Sequence, residues 1–141
     1  MASVMIAAAV MGTSACGGEA EAQKKPASAK PKAMSLDTAT AKFQKAVEDF
    51  DLVGCESKAP DTCWEQMTAV MKPARDLRKS MNAEKSVGAG FFTEAYALID
   101  TMEDGIGVGQ DLGAMVADTN RPKVLGSAHD LAEWLDAHPT K

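Results

Sequence analysis

From residue 36 onward apolar side chains return at every third or fourth position, and that rhythm restricts the chain to packed helices. Leu36, Ala39, Phe43, Val47 and Phe50 are spaced 3, 4, 4 and 3 residues apart, with Lys42, Lys45, Glu48 and Asp49 mostly on other faces. Ser35 is an N-cap candidate, Asp37 places an acid in the first turn, and Gly54 is a natural stop. A second helix opens at Asp61 and Thr62 with a stripe of Trp64, Met67, Met71, Ala74, Leu77 and Met81. Pro73 falls inside this stripe and is expected to kink or split the helix, because it has no N–H to donate. Arg75, Arg78 and Lys79 form a small basic patch on it, read as a solvated or salt-bridged face.

A third helix is expected to start near Lys85 or Ser86, with Phe91, Ala95, Leu98, Met102 and Ile106 inward. It runs into "DGIGVGQDLGAMV", where Gly105, Gly109 and Gly113 recur at every fourth position. If helical, these three glycines make a smooth groove for another helix. If not, they belong to a loop. Leu112, Met115 and Val116 extend the apolar pattern and favour the helix. A last helix spans 120–139, with Pro122 in its first turn and Val124, Ala128, Leu131 and Leu135 as its stripe, and Trp134 on the edge. Aromatic residues are few (four Phe, two Trp, one Tyr) while Met numbers nine, which favours helix over strand. The expected fold class is all-α: a small antiparallel bundle of about four helices over residues 36–141.

Three cysteines occur. Cys55 and Cys63 bracket "ESKAPDT" between the first two helices, a spacing that suits a disulfide at the base of a helical hairpin in an oxidising compartment. Two reduced thiols in a cytosolic loop are the alternative. If the two pair, Cys16 is left for a separate task.

Residues 4–11 (VMIAAAVM) are too short to span a membrane, which takes roughly 20 apolar residues, yet they fit the h-region of a signal peptide. Thr13, Ser14 and Ala15 are small, and Cys16 follows. "TSAC" resembles the lipobox of the bacterial lipoprotein class at its last three positions. The resemblance implies cleavage before Cys16, diacylglycerol on its sulfur, acylation of the new amino terminus by a fatty acid such as palmitate, and anchoring to a bacterial membrane outside the cytoplasm. "MAS" carries no Lys or Arg, so the natural start is expected upstream of Met1. Two other readings stay open: ordinary signal cleavage after Ala15, and an alanine-rich start on a cytosolic helical interaction protein.

Residues 16–35 hold four lysines against two glutamates, with Pro26 and Pro31 and no apolar period. They are expected to form a tether that buries no surface, with lysines near anionic headgroups. The body beyond is acidic, with no Lys or Arg between Lys85 and Arg121, and the whole chain carries a net charge of −5. Such a body does not offer the basic patch a nucleic acid requires.

His129 and Glu133 share a helical face and are weak metal-ligand candidates, because a structural zinc site takes four ligands; a surface ion pair is the other reading. Asp100, Glu103 and Asp104 do not match the order of a calcium loop. "GIGVG" lacks the third glycine and the preceding strand of a dinucleotide fingerprint. No cofactor is expected. The sequence therefore points to a non-catalytic binding protein that meets the membrane through its lipid and either binds another envelope component or holds a small ligand in the bundle. Contact surfaces are expected on the Gly105/Gly109/Gly113 face and the methionine-rich second helix, with internal packing as the alternative for both. A rival reading is a metal-binding protein or enzyme built on His129, Glu133 and the acidic third-helix segment.

Overall fold

The computed structural model describes residues 34–55, 57–115 and 118–140, and Cys16 with the expected signal peptide and tether lies outside them. The described residues form four α-helices and no strand: α1 (Leu36–Val53), α2 (Trp64–Ala83), α3 (Thr93–Ile106) and α4 (Ser127–Ala137). None of these helices is long and apolar enough to cross a membrane.

Helix α1 starts where its chemistry requires. The Ser35 hydroxyl accepts the Thr38 amide at 3.3 Å, and Gly54, at φ 66°, ends the helix by donating its N–H to the Phe50 carbonyl. Helix α2 is continuous through Pro73, contrary to a split. The cost is local: Pro73 cannot supply the donor that the Ala69 carbonyl would otherwise receive, and Ala69 is solvent-exposed.

Helix α3 begins at Thr93, not near Lys85 or Ser86. Glu84 accounts for the difference. Its carboxylate accepts the amides of Lys85 and Ser86, both at 2.7 Å, and this turns the chain out of helical conformation. The last helix is wound more loosely at its start, with a π-helical turn over Pro122–Gly126 that leads into α4.

Cross-helix contacts set the topology. Arg75 meets Glu103 while Arg78 meets Asp100, so α2 and α3 are antiparallel. Gln44 meets Asp136 and Asp51 meets His129, so α1 and α4 are antiparallel too. Helices run up-down-up-down around a single core of Phe43, Met67, Val70, Leu77, Met81, Ile99, Met102, Val124 and Leu131, all essentially free of solvent. The methionines of α2 thus fill the core rather than line a surface. Trp134, expected on an edge, is buried, and its indole N–H donates to Glu94 at 3.1 Å.

The fold has two distinct ends. Met34 and the α2–α3 loop lie at one, tied by the Ser80 hydroxyl to the Met34 carbonyl at 2.9 Å. At the other lie the α1–α2 loop and the long loop from 107 to 121. Cys55 and Cys63 sit there with Cα atoms 5.6 Å apart and are bridged.

Candidate functional site

The end away from Met34 is organised by two residues that sequence spacing did not single out. Asp111 and Arg121 are both buried and face each other in a fork, Nε to Oδ1 at 3.1 Å and Nη2 to Oδ2 at 2.5 Å. Their remaining hydrogen-bonding capacity is used to fix two loops. Arg121 donates to the Ser57 carbonyl at 2.7 Å, the Ala59 carbonyl at 2.8 Å and the Thr62 hydroxyl at 3.0 Å. Asp111 accepts the Cys63 and Gly113 amides, each at 2.8 Å. Two backbone bonds lie beside it, from Asp61 N–H to the Asp111 carbonyl and from Ala114 N–H to the Lys58 carbonyl. Asn120 adds a second brace. Its amide donates to the Gly105 and Gln110 carbonyls and accepts the Leu112 N–H. Burial pushes the Asp111 carboxyl up, but the hydrogen bonds from Arg121, Gly113 and Cys63 outweigh it and hold the group below the ordinary carboxylate value.

Three consequences follow for the expected site residues. Gly105, Gly109 and Gly113 do not share a helical face, because α3 ends at Ile106 and Gly109 and Gly113 take φ of 82° and 78°. These are left-handed conformations, and they belong to the loop that follows the helix. Gly105 is covered by the final helix: a Cβ there would lie 2.7 Å from Val124 Cγ2. Gly113 abuts the 58–60 backbone, and a Cβ would meet the Lys58 carbonyl oxygen at 2.5 Å. Internal packing thus describes both. Gly109 is exposed in a turn.

His129 turns toward α1. Its Nε2 lies 3.1 Å from Asp51 Oδ1 and its ring is 5.7 Å from that of Phe50. Glu133 lies instead in a shallow recess with Glu94, Asp130 and Trp134. Among the described residues no three His, Cys, Asp or Glu side chains converge on a point where a metal could sit. The acidic third-helix segment is engaged in helix pairing. Arg75 holds Glu103 through two bonds of 2.6 Å, and these keep the Glu103 carboxyl below its ordinary value. Asp100 pairs with Arg78, whose guanidinium also stands 5.3 Å from the centre of the Tyr96 ring.

Several recesses are large enough to take side chains, and two of them lie along α1. One, of about 340 Å³, opens at the Met34 end between Leu36, Thr40, Gln44, Phe92 and His138, and is crossed by the 2.6 Å Gln44–Asp136 bond. The other, of about 400 Å³, lies in the α1–α2 groove next to the disulfide. Its lining is Ala46, Phe50, Val53 and Ala69, with Asp49, Glu65 and Gln66 on the rims. It is the more apolar of the two, and it continues past Val53 and Gln66 to Gly54, Ser57 and Thr62. Among the described residues, the large hydrophobic side chains left most exposed (Leu52, Val53, Val108, Leu112 and Met115) all belong to this same end of the bundle.

Comparison of the chain with protein-family models, with curated proteins and with solved structures gives no match.

Proposed function

We propose that this chain is a lipid-anchored, extracytoplasmic interaction protein: a helical bundle on a short tether, fixed to a bacterial membrane through Cys16, that binds another envelope component without catalysing a reaction. The observation that carries it is the Cys55–Cys63 pair at bonding distance. A disulfide persists in oxidising compartments, so it supports export, and export is what the apolar segment before "TSAC" would direct. With those two sulfurs engaged, Cys16 is the cysteine available for acylation. The geometry of the bundle supports an interaction role as well. In this reading the tether joins the bundle at Met34, and the exposed apolar residues lie at the opposite end.

Metabolic labelling with a palmitate analogue tests the anchor. Label is expected on the wild-type chain expressed in a bacterium, and none on Cys16→Ser, which should move from the membrane to the soluble fraction. Equal labelling of both, or none of either, overturns the lipoprotein reading. Mass mapping without reductant is expected to recover 55 and 63 in one linked peptide, and two free thiols would remove the support for export.

A further inference from the structure

Resting on the reading of the chain as a tethered interaction protein, we propose that the α1–α2 groove beside the disulfide docks an amphipathic helix of a partner protein, with aliphatic side chains on one face and lysine or arginine along its edges. Two observations define this occupant. First, shape: the small residues Ala46 and Ala69 line the groove with Phe50 and Val53, and about 400 Å³ has room for two or three aliphatic side chains. Small residues between two helices let a third helix come close, and anchors at i, i+3 or i+4, and i+7 are how a helix fills such a groove. Val53, 65% exposed at its edge, has no covering element among the described residues.

Second, charge. The ionised groups on the lining are the carboxylates of Asp49 and Glu65, and no cation among the described residues lines the groove. Lys45 pairs with Asp49 from outside it at 2.8 Å. The last turn of α1 holds no basic residue, so the negative end of its dipole is not offset there. Carboxylates in an otherwise largely apolar lining complement a cationic helix. They disfavour groove-to-groove pairing with a second copy of this chain, which would bring Asp49 and Glu65 against their own equivalents.

The disulfide and the Asp111–Arg121 fork hold the end of this groove in place, so the partner meets a preformed surface.

The test uses the purified full chain and two synthetic 18-residue helices of equal length, one of leucine and lysine and one of leucine and glutamate. The leucine–lysine helix is expected to bind at physiological salt and to shift the amide resonances of Phe50, Val53, Gln66 and Ala69. Ala69→Lys, which places a cation in the lining, should weaken it by about tenfold or more. Ala97→Lys makes the same charge change at an exposed site on α3 and should weaken it less than about twofold, since a distant surface charge is screened. Equal losses in the two variants would reduce the effect to general acidity and overturn the site. So would equal binding of the leucine–glutamate helix, or resonance shifts centred elsewhere. Self-association lost in Ala69→Lys would replace the partner by a second copy. Displacement of the helix by a peptide of residues 17–33 would replace it by the chain's own tether, and binding to anionic vesicles lost in Ala69→Lys would replace it by a lipid surface. Each of these overturns the proposal. Binding is read on unlipidated protein, so a failed anchor and a failed groove give separate results.

Discussion

Arg121 and Asp111, ten residues apart in sequence, bury a forked ion pair beneath the disulfide end of the bundle, and every further bond they make goes to a loop. A paired charge in such a place is defined less by what the pair adds than by what its rupture leaves behind. Removing Asp111 strands a buried guanidinium and deprives the Cys63 and Gly113 amides of their acceptor. Asp111→Ala should therefore cost about 3–5 kcal/mol of stability. Arg121→Ala should cost a similar amount, and the double variant should cost much less than the two together, because the second substitution removes an already unpaired charge. Urea unfolding of the three variants checks the cycle. Strict additivity would show that the pair does not act as a unit.

The same carboxylate gives the stability a pH dependence with a definite sign. Its folded value lies below the unfolded one of about 3.9, so its stabilising contribution is complete above that value. The contribution is lost as pH falls through the folded value. Glu103, lowered by Arg75, and Asp76, lowered by Lys72 and Lys79, act in the same direction from more exposed positions. Chemical denaturation between pH 7 and pH 2.5 should show stability falling below about pH 4. Asp111→Asn should be less stable at neutral pH and show a shallower acid limb. An unchanged limb would assign the acid sensitivity to the exposed pairs.

Sequence periodicity recovered α1, the body of α2 and α4 because each buries a continuous stripe against the same core, as Leu36, Ala39, Phe43 and Val47 do. It failed between Lys85 and Phe92 and again from Gly107 to Thr119, where side-chain-to-backbone bonds override the apolar rhythm. A local signal for the second failure existed. Asp111 followed by Leu112 and Gly113 is an Asx-turn sequence, and the 2.8 Å bond from the Gly113 amide to Asp111 Oδ1 is that turn. Its partner, Arg121, is the first cation after a long acidic run, but sequence alone does not distinguish a buried arginine from a solvated one. The α1–α2 groove was equally illegible, since it depends on which of Ala46, Phe50, Val53 and Ala69 the neighbouring helices leave uncovered.

The bridge between Cys55 and Cys63 closes a short loop, and on the chain-entropy model such a closure stabilises by about 2.5 kcal/mol through the unfolded state. Cys63 is fully buried while Cys55 is half-exposed, so Cys55→Ser is the cleaner variant. It should lower the urea midpoint and leave the far-ultraviolet helical signal unchanged, because Arg121 still holds Ser57, Ala59 and Thr62. Reductant should reproduce the shift in the wild type and have no further effect on Cys55→Ser. A reductant-insensitive wild type would show that the two thiols are not joined.

The three glycines separate a packed turn from a helical groove by the order of their alanine variants. On a shared, uncovered helical face all three would gain stability, by about 1 kcal/mol each, from the better propensity of alanine. The observed surroundings predict otherwise. At Gly113 a Cβ meets backbone on three atoms, the nearest at 2.5 Å, and φ is 78°, so strain and overpacking add and the cost should reach about 3 kcal/mol or more. Gly105 is truly helical, so the gain in propensity partly offsets the clash with Val124, Lys123 and the Asn120 carbonyl, leaving about 1–2 kcal/mol of loss. Gly109 has open space around the added carbon and only its φ of 82° to oppose substitution, for a loss of about 1 kcal/mol. Thermal or urea unfolding should therefore rank the damage with Gly113→Ala worst by a clear margin, and a gain at Gly109 or Gly113 would restore the continuous helix.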